Sequence, residues 1–149
     1  MKTVIQRVAK AQVSDNEVIS QIGKGFLILV GVGKEDTKKD AEFIAGKIAS
    51  LRIFEDNNGK MNLDIKQAGG EILSVPQFTL LADTHKGNRP GFDRAASPEI
   101  AKVIWKELNT RLTNEGINVS EGKFGAHMLV ELVNDGPVTI LLDTSELHK

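Results

Sequence analysis

Two short segments place polar groups where their surroundings do not call for them. In Pro76-Gln77-Phe78-Thr79-Leu80 a glutamine and a threonine interrupt an apolar run, and the proline withholds a backbone N–H that regular pairing would use. In Asn134-Asp135-Gly136-Pro137-Val138-Thr139 the glycine supplies unusual backbone angles and the proline tightens the chain. Taken alone, the first is equally an irregular edge strand and the second a hairpin turn. Familiar hydrolytic machinery is missing around them. There is no cysteine, which removes disulfides, thiolate metal sites, iron–sulfur clusters and a cysteine nucleophile together. His85, His127 and His148 are far apart and make no ligand pair at helical spacing, so no metal and no cofactor is expected. Gly31-Val32-Gly33 lacks the third glycine of a dinucleotide fingerprint and reads as a strand end. No serine sits in a Gly-x-Ser-x-Gly elbow, so nucleophilic catalysis has no evident actor.

The elements that position these segments can be read from periodicity. Val4, Gln6, Val8 and their neighbours alternate as a strand, and Val18 to Ile22 is its hairpin partner after the polar turn Ser14-Asp15-Asn16. Phe26 to Val32 is an unbroken apolar run bounded by glycines, which suits a strand buried on both faces. Thr37 caps a helix whose Ala41, Ile44, Ala45 and Ile48 fall at spacings of three and four. Turns at Asp56-Asn57-Asn58-Gly59 and Gly69-Gly70 precede a strand over Ile72 to Leu81, in which Pro76 implies an edge or a bulge. Ser97-Pro98 opens a second helix with Ile100, Ala101, Ile104, Trp105, Leu108 and Leu112 on its apolar face, ending near Gly116. Strands over Asn118 to Phe124, Met128 to Val133 and Val138 to Asp143 follow, the last two joined by Asn134-Asp135-Gly136-Pro137. Strands gathered at both ends around two helices favour an α+β fold of mainly antiparallel sheet layers with the helices packed on them.

A chain of 149 residues, 40% hydrophobic and with neither repeat nor linker, is expected to form one domain over residues 1–149. No apolar run reaches the roughly 18 to 20 residues that span a bilayer, and Met1-Lys2-Thr3-Val4-Ile5 lacks a secretion signal, so a soluble cytoplasmic protein without a membrane partner is expected. The formal net charge of −1 disfavours a grip on long nucleic acid through many phosphates. Between Asp83 and Ala95, however, His85, Lys86, Arg89 and Arg94 outnumber Asp83 and Asp93, a local positive bias that also suits a solvated loop.

Together the two segments resemble the paired signature of the D-aminoacyl-tRNA deacylase family. Gln77, Phe78 and Thr79 match its Ser-Gln-Phe-Thr motif, and Asn134, Gly136, Pro137, Val138 and Thr139 match Asn-x-Gly-Pro-Val-Thr. The resemblance runs almost end to end, through Gln6-Arg7-Val8, Arg52-Ile53-Phe54, Gly59-Lys60-Met61-Asn62-Leu63, Gln67-Ala68-Gly69-Gly70, Arg89-Pro90, Ala95-Ala96-Ser97-Pro98 and Gly122-Lys123-Phe124-Gly125-Ala126. One departure is Pro76, which stands where the family carries serine.

The resemblance implies a homodimer of the deacylase fold that hydrolyses the ester of D-aminoacyl-tRNA, and of glycine mischarged on tRNA-Ala, as a chiral proofreading step in translation. Its partner is then the aminoacyl-tRNA 3′ end. By the same resemblance Gln77, Phe78 and Thr79 form the catalytic segment, where main-chain amides hold the ester carbonyl in an oxyanion hole, with the amides of Gln77 and Phe78 expected to be free. Gly136 and Pro137 are implied to adopt a cis peptide and to enter the partner subunit's site, excluding L side chains, with Asn134 in the same motif. Arg7 is expected to steady that segment through charge-assisted hydrogen bonds. Two rivals stay open: a non-catalytic RNA-end-binding dimer that stacks bases on Phe78, Phe92 or Phe124, and a structural dimer whose site Pro76 has made degenerate.

Overall fold

The computed structural model describes residues 1–147, so His148 lies outside the described residues. The chain opens with a long strand, β1 (Lys2–Asp15), whose turn at Asn16 takes a positive φ of 71° before β2 (Glu17–Ile22) returns antiparallel to it. β3 (Gly25–Gly31) also lies antiparallel to β1, then α1 (Lys38–Ser50) leads through the small hairpin β4 (Phe54–Glu55) and β5 (Met61–Leu63) to β6 (Glu71–Pro76). A 3-10 turn, Phe78–Leu81, follows, then α2 (Pro98–Asn114), β7 (Val119–Glu121), β8 (Leu129–Asp143) and a short α3 (Thr144–Leu147). The main sheet is ordered β2-β1-β3-β6-β7, with β8 on the other edge of β1. It curls toward a barrel: Ser20 Oγ of β2 donates to the Glu121 carbonyl of β7 at 2.5 Å.

The fold is α+β, but its sheet is mixed. β6 runs parallel to β3, and β7 parallel to β6, because α1 and α2 respectively provide the crossovers that parallel neighbours require. Burial follows from this order. Phe26, Ile28, Val30 and Ile72 face α1 and α2, where they meet Ile44, Ile48, Trp105 and Leu108; Leu27, Leu73 and Val75 face inward against Val8, Ala11 and Val13. The apolar run read as a strand buried on both faces thus separates two apolar clusters. Along β1 the buried residues before the curl are Thr3, Ile5 and Arg7, one step out of phase with the Val4, Gln6 alternation.

Three sequence expectations change. The strand expected over Ile72 to Leu81 stops at Pro76, and Gln77 to Leu81 turns out of the sheet. Pro76 is not on an edge strand: β6 has neighbours on both sides, and Pro76 simply lies beyond the last β7 pairing at Ser74, where no N–H is needed on that flank. Most consequentially, the two strands expected around Asn134 to Pro137 are one strand, β8, pairing with β1 along both halves. Gln6 pairs with Thr139 and Val8 with Asn134, so Asp135, Gly136, Pro137 and Val138 stand opposite Arg7 alone. The surplus residues bulge outward instead of turning the chain back.

Arg7 holds the base of that bulge. Its side chain is only 6% exposed, with Nε donating to the Asp135 carbonyl at 2.8 Å, Nη1 to the Ile53 carbonyl at 2.6 Å and Nη2 lying 3.7 Å from Glu55. At the other end of β1, the Met1 amino group pairs with Asp36 at 2.5 Å and Thr144 at 2.7 Å, tying the strand to the loop before α1 and to α3. α1 begins in a capping box: Thr37 Oγ1 accepts from the Lys39 amide at 3.2 Å while Asp40 accepts from the Thr37 amide at 2.8 Å. Partial burial opposes ionisation of Asp40, yet the Thr37 amide, the Thr144 hydroxyl, the N-terminal charge and the Thr37 hydroxyl hold its carboxyl below the usual value.

Stability outcomes follow at Thr37, Asp40 and Arg7. Thr37→Ala should cost about 1 kcal/mol in denaturant unfolding. A carboxylate with a depressed folded pKa stabilises the fold above its unfolded pKa and loses that contribution as pH falls, so stability should drop on acidification below about pH 4, and less steeply in Asp40→Asn. Arg7→Ala leaves two backbone carbonyls without their charged donor and should cost about 3 kcal/mol. Arg7→Lys should recover only part of that loss, since an ammonium cannot span both carbonyls as the guanidinium fork does.

Candidate active site

Where β6 leaves the sheet, the chain opens a cavity of about 570 Å³. Val30 of β3 and Val32 just beyond it, Val75 and Pro76 of β6, Ala101 and Trp105 of α2, and the loop Phe124 to Met128 wall it, while Gln77, Phe78 and Phe92 stand at its rim. Volume and lining fit a compact aromatic ligand of nucleoside size. The wall is fixed from behind: buried Trp105 donates its indole N–H to Ser74 Oγ at 2.9 Å, which satisfies the one polar atom of the ring. Phe78 remains 57% exposed and meets Phe92 edge-on at 5.0 Å, so two aromatic rings flank the opening.

The turn itself depends on Gly31. A Cβ there would lie 2.6 Å from Leu81 Cδ2 and 3.0 Å from the Gln77 carbonyl, so only glycine lets the Phe78–Leu81 turn lie against β3. The Gln77 amide, expected to be free, donates to the Val30 carbonyl at 2.7 Å and closes the sheet at that point. The next two amides, of Phe78 and Thr79, begin a 3-10 turn and therefore have no carbonyl behind them; neither has a partner among the described residues. They are adjacent backbone donors beside the cavity, a pair able to stabilise an anionic oxygen. The Gln77 side-chain amide bonds to Thr79 Oγ1, which commits both side chains to each other.

Gly136 and Pro137 are elsewhere. They crown the β8 bulge, exposed, with a cis peptide between them and a Gly136 φ of +151°. A Cβ on Gly136 would sit 2.7 Å from the Val138 nitrogen. Asn134 braces the bulge from inside: its Nδ2 donates to the Val138 carbonyl at 3.1 Å and to Gln6 Oε1 at 3.0 Å, and its Oδ1 accepts from the Val138 amide at 2.8 Å. Arg7 and Asn134 are thus joined to Gly136 and Pro137, and Gln77 and Phe78 line the cavity with Thr79 next to them, but within one chain the two groups do not meet. Three strand-to-strand steps separate β8 from β6, and none of Arg7, Asn134, Gly136 or Pro137 lines the cavity.

The histidines contribute little to this site. His85 is 85% exposed and bonds Asp83 at 2.7 Å, His127 is an exposed part of the cavity wall, and no cluster of histidine and carboxylate groups among the described residues could hold a metal ion. Sequence reasoning did not assign Trp105 or Gly125 to Met128 to the site, and named Phe124 only as a base-stacking ring in the rival binding reading. Trp105 was legible only as part of a helical apolar stripe, and nothing local distinguishes a cavity wall from a core position.

The chain matches the D-Tyr-tRNA(Tyr) deacylase family over residues 4–143. D-aminoacyl-tRNA deacylases similar to it include that of Staphylococcus carnosus, 50% identical with 98% of this chain and 97% of the relative covered, and that of Bifidobacterium longum subsp. infantis, 54% identical with 97% and 94% covered. A solved structure described as c-Myc DNA unwinding element binding protein superposes with a TM-score of 0.89 at 42% identity, covering 96% of this chain and 98% of that one. A probable eukaryotic D-amino acid tRNA deacylase shares the fold alone, with a TM-score of 0.82 at 14% identity and coverage of 95% and 97%. With matches of this extent and a motif segment that supplies two unpartnered amides at a cavity, the chain belongs to the D-Tyr-tRNA(Tyr) deacylase family.

Proposed function

We propose that this protein hydrolyses the ester between a D-amino acid, or glycine mischarged on tRNA-Ala, and the 3′ end of tRNA, and that it works as a homodimer. The observation that carries the reading is the pair of free amides of Phe78 and Thr79 beside a nucleoside-sized cavity. The terminal adenosine enters the cavity, the ester carbonyl oxygen accepts from the two amides, and water attacks the carbonyl carbon. The bond to the ribose oxygen breaks, that oxygen takes up a proton derived from water, and the amino acid leaves as its carboxylate. The ribose 2′-hydroxyl helps orient the water. Loss of a single oxyanion donor in other enzymes costs roughly 2.7–4 kcal/mol, so backbone donors supply a large share of the acceleration without an ionisable side chain. Phe78 and Thr79 carry the donors, while Gln77 closes the sheet behind them and orients Thr79. The family's serine hydroxyl is absent at Pro76, so no step here uses it.

Chirality requires a rigid surface at the α-carbon, which the cavity of one chain does not provide. The exposed Gly136 and Pro137 of a second copy supply that surface, with Arg7 and Asn134 as positioning residues that hold the bulge. Their main-chain oxygens engage the α-amino group of a D-substrate and leave no room for an L side chain; glycine, lacking one, passes. β8 favours such a pairing: among the described residues it has a strand neighbour only on its β1 side, and Leu129, Val133 and Leu141 are exposed along it.

The test is release of tyrosine from D-Tyr-tRNA and L-Tyr-tRNA by the purified protein in buffer containing a chelator, with its mass in solution measured alongside. Rapid loss of the D-ester alone, by a dimer, is the expected outcome. Survival of both esters would favour the binding-only reading, and a monomer that retains full chiral selectivity would refute the second-copy filter.

A further inference from the structure

Beyond the cavity, the segment after Ala82 forms a closed loop. The Asp83 amide donates to the Gly91 carbonyl at 2.7 Å and the Gly91 amide returns to the Asp83 carbonyl at 2.8 Å, while the Arg94 guanidinium reaches the Ala82 carbonyl at 3.3 Å across the neck. Residues 83–90 are all exposed. The residue that follows the closure, Phe92, packs on Phe78 and lines the cavity, so the loop is fastened one residue from the rim. Its acid is already committed: Asp83 accepts from the His85 amide at 3.0 Å and contacts the His85 ring at 2.7 Å. Lys86 and Arg89 have neither an ion pair nor a hydrogen bond among the described residues. Other exposed cations, Lys10, Lys34 and Lys60 among them, are equally without an ion pair among the described residues; what sets Lys86 and Arg89 apart is their place on a loop fastened beside the cavity.

We propose that Lys86 and Arg89 bind backbone phosphates of the RNA strand leading to the terminal nucleotide, so that this loop is a second, sequence-independent binding element beside the cavity. The inference rests on the reading of the cavity as the pocket for that nucleotide. Lys86 lies three residues from Asp83 and Arg89 two from Gly91, so at roughly 3.3–3.6 Å per residue neither stands more than about 10 Å from the closure. At about 3.4 Å per stacked nucleotide, that is the length of the few nucleotides at the RNA end and not of a long duplex. The chemistry is of the required kind. Arginine and lysine donors hold phosphate oxygens and fix register without reading bases. It also reconciles a net charge of −1 with an RNA substrate: the cations that matter are few and stand beside the opening. The same ligand chemistry could be offered by an acidic protein, but such a partner would make no use of the fixed distance to the cavity.

The experiment compares the protein with a Lys86→Ala/Arg89→Ala variant on two substrates. One is D-Tyr-tRNA across a salt series; the other is D-tyrosyl adenosine, which has the ester and the nucleoside but no phosphate. The variant should lose roughly tenfold in kcat/KM on D-Tyr-tRNA, mostly through KM. The slope of log kcat/KM against log salt should become shallower by about 1.4, at roughly 0.7 per single-strand phosphate contact. Hydrolysis of D-tyrosyl adenosine should be unchanged, and Lys86→Arg/Arg89→Lys should behave as the unaltered protein does. Unchanged kinetics and salt slope on D-Tyr-tRNA would overturn the proposal alone, as would an equal loss on both substrates. An unaltered protein inert on both substrates would instead overturn the reading of the cavity, and the proposal with it.

Discussion

The hydrogen bond from the Gln77 amide to the Val30 carbonyl sets the point at which the chain stops being sheet. Up to it, every amide of β6 has a role in pairing or is absent, as at Pro76. Beyond it the backbone turns within a single residue into a 3-10 helix, and the first donors of that helix have no carbonyl behind them. A buried N–H without a partner is costly, so such a pair persists only where a ligand or water can reach it. The cavity provides that access, and its walls are shaped by the same departure: Gly31 admits the turn, and the Trp105 bond to Ser74 keeps α2 against β6. The candidate active site is therefore what remains when a parallel strand ends early beside a packed helix.

The second constraint is a mismatch in length between neighbours. Between the pairings of Gln6 with Thr139 and Val8 with Asn134, β1 supplies one residue and β8 supplies four. Surplus backbone opposite a continuous strand must leave the sheet, and its direction depends on what anchors its base. Here the buried guanidinium of Arg7 takes the Asp135 carbonyl on one side and the Ile53 carbonyl on the other, so the bulge is tied to β1 and to the β4 hairpin together. Asn134 crosses the base from within by bonding both backbone groups of Val138. With its base held twice, the exposed tip behaves as a rigid projection, in keeping with a role that needs a fixed backbone surface.

Elements set by local chemistry were legible in the sequence. Thr37 and Ser97-Pro98 mark the two helix starts, glycines bound β3, and the Gly59 and Gly69 turns fall where turn residues cluster. What could not be read were features decided by partners distant in the chain. Nothing near Asn134 says that both flanking strands lie on the same neighbour, because a Gly-Pro bulge and a Gly-Pro hairpin turn use the same residues. Arg7 looks like an exposed strand residue until the bulge opposite it supplies two carbonyls for its charge. Likewise, the expectation that the Gln77 amide is free failed because it depends on where β3 ends, and the pairing of Pro76 with Val30 fixes that. The candidate segment was named through resemblance; that the Phe78 and Thr79 amides are unpartnered among the described residues while the Gln77 amide closes the sheet came from the hydrogen bonds.

The two motifs lie on opposite sides of β1 and β3 because each depends on a different kind of strand ending. A cavity with backbone donors needs a strand that stops, which requires parallel neighbours and a helix to cover the gap. A rigid projection needs a strand that continues past its surplus, which requires a long antiparallel neighbour with free space beyond. One sheet cannot meet both conditions at one place, since the first demands covering and the second demands exposure. In the function proposed above, a second copy resolves this conflict without altering either: the projection of one chain covers the opening of the other, and the side of β8 away from β1, unpaired among the described residues and carrying exposed leucine and valine side chains, lies alongside the projection. In that proposed function, dimerisation is the geometric consequence of building a donor pair and a steric filter from main chain alone.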